Sequence, residues 1–448
     1  MDLWRLALAS LTAVGLETAP PTARAEPLLL TGATVHTVSG ETFAPGFVLI
    51  EDRTIRAVGP GSDAGAAARN ARRVDLSGLH LYPGMIALNT RLGLAEIGAV
   101  RATHDHTEVG EGYNPDVRSW LAVNPDSELL PVARANGISH FEPVPQGGVV
   151  SGQSGLLALD GWTSEQMLVR APIALHVFWP AMQLDPTPKE RAPDPKKWKS
   201  LEEQDKARRE KLRALSEFFA DARAYARARG VASGAQGFPK TPAWEAMLPV
   251  VRGEVPVMIH ADDVRQIRAA VEWARTNELR WILAEARDAW RVAELLAANR
   301  VPVIYNHVFT QPVRDFDAYD VQFRAPERLR RAGVKVVFGL TGWRDALVKN
   351  LPYEAAQAVA FGYPAEEALK GLTLYAAELA GVAARLGSIE PGKEATLAAW
   401  DGDPLDIRAN VKRMWIGGRE VSLENRHTRF YEKYRQRPRL TSPTAASP

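Results

Sequence analysis

The middle of the chain alternates between two patterns, and this restricts the fold more than any other feature. Short apolar runs, VPVMIH, LRWILAEA, VPVIYNHV and KVVFGL, are interleaved with stretches whose apolar residues recur three and four apart, VRQIRAAVEWARTN, RDAWRVAELLAANR and PERLRRAGV. A run apolar on both faces, followed by an amphipathic helix, is the signature of a parallel sheet covered by helices. The helical stretch PYEAAQAVAFGYPAEEALKGLTLYAAELAGV closes the series. The number of repeats within 448 residues predicts an α/β fold. A (β/α)8 TIM-type barrel fits better than an open doubly wound sheet, with functional groups in the loops after the strands.

Strand-rich clusters flank this region. LLLTGATVHTV, GFVLIEDRTIRAVG and RRVDLSGLHLY lie before it, LGSIEPGKEATLAAWDGD and RMWIGGREVSL after it. They predict one small β-sandwich built from both termini, residues 26–83 and 386–425, around a barrel over 84–385 and before a tail over 426–448. Residues 185–229 break the rhythm with DPTPKERAPDPKKWKS and a highly charged helix. They read as a barrel insertion with one packed face, the alternative being a lid over the barrel mouth. Residues 1–25 read as a signal peptide: an apolar run, Leu6–Leu16, follows Arg5, and Ala23-Arg24-Ala25 supplies a small-x-small cleavage site. That reading implies export to the periplasm or the exterior. No run is long enough to span a bilayer.

Composition removes several classes of function. There is no cysteine, which excludes disulfides, thiolate nucleophiles and cysteine metal sites. A net charge of +2 offers no field for nucleic acid or a membrane surface. The expected partner is a small molecule, and nothing in the sequence determines the oligomeric state.

Candidate residues follow from pattern. In HDHTE an extended backbone puts His104, His106 and Glu108 on one face, a set of two imidazoles and a carboxylate that suits Zn²⁺; a chance run in a loop is the competing reading. His260 ends the apolar run VPVMIH, where it serves either as a general base or as a satisfied polar residue at a rim. The glycine-rich QGGVVSGQSG, with Ser154, and the loop tryptophan Trp343 are candidates for substrate contact, with Trp120, Trp162 and Trp179 as further aromatic lining. His140, His176 and His307 fall near strand ends and read as structural.

Three blocks carry a resemblance: GFVLIEDRTIRAVGPG, VDLSGLHLYPGMIAL and EEALKGLTLYAAELAGVAARLGSIEPGKEATLAAWDGDPL. On these the chain resembles the amidohydrolase superfamily, in particular its imidazolonepropionase-like branch. The resemblance implies a hydrolase in which a metal-activated water attacks an amide or related carbon at the barrel mouth. It also locates the metal positions, and most are replaced. Asn89 and Arg91 stand for the His-x-His after the Pro-Gly turn, His260 matches the strand-five histidine, Glu285 stands for the strand-six histidine, and Gly342 for the strand-eight aspartate. The implied function is therefore hydrolysis of a carbon–nitrogen bond, cyclic amide or dipeptide-like, at an altered site around His260, Glu285, Arg91 and Asn89. Two alternatives are a catalytically inactive barrel that binds a ligand or partner protein, and a metal-independent lyase or isomerase. Arg91 is expected in the metal's place, paired with Glu285 or clamping a substrate carboxylate. The one cofactor implied is a divalent ion such as Zn²⁺.

Overall fold

The computed structural model describes residues 26–67, 70–108, 112–231, 239–340 and 345–437. The signal-peptide reading of residues 1–25 lies outside them. Eight strands form the barrel sheet: β1 Met85–Thr90, β2 Ile138–Pro143, β3 Val150–Ala158, β4 Leu168–Phe178, β5 Val257–Ala261, β6 Trp281–Glu285, β7 Val303–Tyr305 and β8 Val336–Phe338. They are hydrogen-bonded in chain order. The sheet is not parallel throughout. Strand β3 runs antiparallel to both β2 and β4, and every other neighbouring pair is parallel. The reason is the length of the links. Residues 144–149 and 159–167 are too few for a crossover, which takes a dozen or more, so the chain turns back on itself at both places.

Along β5 and β6 the side chains alternate. Met258, Ile282 and Ala284 point inward with Ile86, Leu88, Leu156, Ile173, Ile304 and Val337, joined by Ala376, Ala377 and Leu379. Val257, Ile259 and Leu283 point outward and pack with helix residues such as Ile267, Val271, Leu296 and Leu329. A barrel of this size is filled by such layers, which leaves chemistry to the strand ends. The helix Val264–Thr276 starts directly after β5 and is closed by a capping box of Asp263 and Gln266. Of the two aspartates in HADD, Asp263 is thus committed to the cap and Asp262 is left to face the barrel mouth.

The flanking strands form two sheets. One is built from Leu28–Thr31, Gly46–Glu51, Thr54–Pro60 and Arg72–Asp75; in the other, Leu397–Trp400 from the far end pairs with His80–Pro83. Leu30, Val48 and Ile50 of the first share a core with Leu81, Leu397 and Trp415 of the second. The insertion forms one long helix, α1, Leu201–Val231. It buries Leu215, Phe219 and Ala222, and Phe219 meets Trp273 edge-on at 4.9 Å. Phe219→Ala is expected to lower the unfolding free energy by about 3–5 kcal/mol, measured by urea denaturation; an unchanged midpoint would show that α1 adds nothing to the core. Among the described residues no helix is long and apolar enough to cross a membrane.

Candidate functional site

Polar groups collect where β1, β2, β4, β5, β6 and β7 end. Glu285 is the centre. Its Oε1 accepts from Asn89 Nδ2 at 3.0 Å and lies 3.3 Å from His260 Nδ1. Asn89 also bonds Asn306 Oδ1 at 3.2 Å, and Asn306 Nδ2 donates to the Leu340 carbonyl at 3.1 Å. Gly339 leaves room for this: a Cβ there would sit 2.6 Å from Asn306 Oδ1. His260 is stacked face-to-face on Phe178 with ring centroids 4.0 Å apart.

Local backbone puts two of these groups in place. By strict alternation Asn89 and Glu285 follow the outward residues of their strands. Both instead adopt left-handed backbone, φ 57° and 68°, and Ala286 follows at 64°. None is glycine, so each conformation carries strain, of a kind that persists where surrounding contacts over-determine it. The turn aims the Asn89 backbone N–H at Glu142 Oε2, 2.9 Å away, and its side chain at Glu285.

The proton affinities of the carboxyls are driven apart. Burial, with the neighbouring Asp262 charge, pushes Glu285 up from 4.5 to about 7. Burial also pushes Asp262 up, but His307 and Arg287 outweigh it and hold that carboxyl below the usual range. His307 Nε2 lies 2.7 Å from Asp262 Oδ1. Deeper in, Glu142 accepts from Ser154 Oγ at 2.6 Å and lies 3.5 Å from His176 Nε2. Burial raises Glu142, yet contacts from His176, Ser154 and the Asn89 amide overcome it and keep it below the usual carboxylate range.

Arg91 does not reach Glu285. Its Nε and Nη2 donate to Asp345 at 3.3 and 3.1 Å, and Nη1 lies 3.4 Å from His106 Nε2. The partner is thus a carboxylate beyond β8, and the group on Glu285 is the Asn89 amide. The physical reason is register: Asn89 and Arg91 lie either side of Thr90, and only Asn89 has the left-handed turn that brings it inward. The Arg91 and Asp345 side chains are 19% and 11% exposed. Arg91→Ala is therefore expected to lower stability by about 2 kcal/mol, between the values for surface and buried pairs. Thermal denaturation measures it, and no shift would mean that Asp345 is accommodated without the guanidinium.

The HDHTE residues do not close on a common point. His104 and His106 have ring centroids 5.4 Å apart, His104 Nε2 is 3.0 Å from the Ile97 carbonyl oxygen, and Glu108 is exposed. Burial, followed by the Arg91 charge, lowers His106 to about 4, so its ring is neutral at pH 7. Ser154 is fully buried and committed to Glu142, which removes it from substrate contact. Trp343 and Gly342 lie outside the described residues. Glu142, His176, Asn306, Asp262, His307 and Asp345 join the site without having been singled out as functional. The available signal was the lone acid, Glu142, in the strand-like run ISHFEPV, since a buried carboxylate requires partners.

The amidohydrolase family model matches residues 167–421. The chain belongs to the amidohydrolase family. Its resemblance to the imidazolonepropionase-like branch holds. The imidazolonepropionase of Pseudomonas fluorescens strain Pf-5 is 30% identical over 179 residues, 39% of this chain and 41% of that protein. Amidohydrolase tasK of Hapsidospora irregularis is 23% identical over 408 residues, 83% of this chain and 39% of that protein. The chain therefore spans about two fifths of the length of the curated relatives it matches. A solved amidohydrolase from Thermotoga maritima MSB8 shares the fold, with a TM-score of 0.76 and 24% identity over 88% of this chain and 99% of that chain.

The residues at this family member's mouth do not make a cation cage. Asn89 offers Glu285 an N–H donor and not a lone pair. Arg91 is a permanent cation, and it cannot ligate another. Among the described residues no three histidine, aspartate or glutamate side chains come together as ligands. What the mouth does provide is a protonatable carboxyl beside an ionised one.

Proposed function

We propose that this amidohydrolase-family chain hydrolyses a carbon–nitrogen bond of the cyclic-amide or dipeptide kind by acid–base chemistry between its own side chains. One observation carries the reading: two neighbouring carboxyls with opposed proton affinities, Glu285 raised to about 7 and Asp262 lowered. Such a division separates an acid from a base. Glu285 gives its proton to the leaving nitrogen. His307, whose Nε2 lies 2.7 Å from Asp262, takes a proton from the attacking water; both its ring nitrogens are buried without a geometrically formed hydrogen bond among the described residues, which leaves Nδ1 available. Asn89 and His260 hold the Glu285 carboxyl in one orientation. The leader-like residues 1–25 support an exported enzyme.

A hydrolysis screen with dipeptides and cyclic amides, run with a chelator and with added Zn²⁺, tests this. Turnover that survives the chelator and disappears in His307→Gln is expected. Turnover that requires Zn²⁺ would overturn the acid–base reading. Ligand binding with no hydrolysis of any substrate would favour the inactive barrel, which the replacement of His-x-His by Asn89 and Arg91 supports.

A further inference from the structure

A row of buried polar groups stands behind Glu285, and the proposed reaction uses only its last member, His260. Ser154, Glu142 and His176 are 0% and His260 is 4% exposed, and they come from β3, β2, β4 and β5. The row can be given a direction, because one member has no choice. A backbone N–H only donates, so Glu142 Oε2 accepts from Asn89 at 2.9 Å. The other oxygen, Oε1, accepts from the Ser154 hydroxyl at 2.6 Å. No Lys or Arg pairs with this carboxylate among its contacts, so its remaining neighbour, His176 Nε2, which stands at ion-pair distance, 3.5 Å, without a formed hydrogen bond, carries hydrogen.

The rest follows from neutral imidazole having one N–H and one lone pair. With hydrogen on Nε2, His176 Nδ1 is bare. It lies 3.0 Å from His260 Nε2, which must then carry hydrogen. His260 Nδ1 is left bare, facing Glu285 Oε1 at 3.3 Å. With both rings neutral, the opposite choice at either one would set lone pair against lone pair or hydrogen against hydrogen; an imidazolium at His176 is the complementary alternative, and it would put the hydrogen of His260 on Nδ1.

We infer that Ser154, Glu142 and His176 are positioning residues that lock His260 in its Nε2–H tautomer, so that its bare Nδ1 accepts the O–H of Glu285 and keeps that carboxyl in its acid form. An Nδ1–H tautomer would do the reverse, since an N–H donor favours the carboxylate. The inference rests on the proposed role of Glu285, but its test needs no substrate, so the two fail separately.

The test is a long-range ¹H–¹⁵N spectrum of the full chain labelled with ¹⁵N-histidine, which distinguishes the two tautomers and the imidazolium. The nine histidines are assigned with His176→Gln and His260→Gln. Both rings are expected as neutral Nε2–H forms at pH 6, below the value of about 7 at which Glu285 gives up its proton. In Glu142→Gln the Asn89 N–H holds the new carbonyl oxygen, which turns the new NH₂ group toward His176 Nε2. Both rings should then switch to Nδ1–H. A wild-type His260 found as Nδ1–H or imidazolium would overturn the inference, and so would a His260 signal unchanged in Glu142→Gln. If that variant does not fold, the wild-type tautomer still decides. A purely structural role for Glu142 would not move these signals.

Discussion

Glu285→Gln is expected to lower kcat by roughly 10²–10³-fold, the range for loss of a positioned acid, with a smaller change in KM. The amide keeps the shape and the contact to Asn89 but has no proton to give. In the wild type the rate should fall as pH rises through about 7, because the acid form of Glu285 is lost there. The same group predicts a stability effect with a definite sign. Its folded pKa, about 7, lies above its ordinary value of 4.5. The folded state therefore holds the proton more tightly than the unfolded state. The associated stability is complete below 4.5 and is lost as pH rises to 7, about 3 kcal/mol in all. Glu285→Gln should remove that pH dependence and leave the protein more stable than the wild type at pH 8. Urea denaturation at pH 5 and pH 8 measures it. Equal slopes in the two proteins, with kcat unchanged, would remove Glu285 from the chemistry.

Glu142→Ala is expected to be the most damaging single change in the barrel interior, costing about 3–5 kcal/mol. The carboxylate is fully buried and is approached by Ser154, the Asn89 backbone and His176. Truncation leaves all three facing a void, and each stranded polar group carries its own desolvation penalty. Glu142→Gln should lose much less, because its carbonyl still accepts from Asn89 and its NH₂ group still reaches Ser154. A depressed carboxylate contributes stability above its unfolded pKa that is lost as pH falls, so the gap between wild type and Glu142→Ala should narrow toward pH 3. A difference under about 0.5 kcal/mol at pH 7, the size of an ordinary surface substitution, would show that the row is not a structural unit.

Several features were legible in the sequence alone. The interleaving of apolar runs with amphipathic helices specified the barrel, because local periodicity reports which faces are buried. The strand clusters at the two ends specified the composite sandwich for the same reason. His260 was legible as well, since it shares parity with the inward Met258 and stands near the end of its strand. Glu285 could be located by family resemblance, though alternation alone would aim it outward with Leu283.

Other features depended on contacts between distant segments. The reversal of β3 rests on link lengths whose effect shows only once the strand borders are known. Arg91 pairs with Asp345, 254 positions away, and no local pattern joins them. Left-handed backbone at Asn89 and Glu285 brings both into the mouth, and such strained turns exist only where packing enforces them. His176 and His307 read as structural from their surroundings in the chain, and their roles come from carboxylates on neighbouring strands. Periodicity along the chain thus determined which segments become strands and helices. Only the closure of the barrel decided which side chains meet, because that depends on register and backbone hand at single residues.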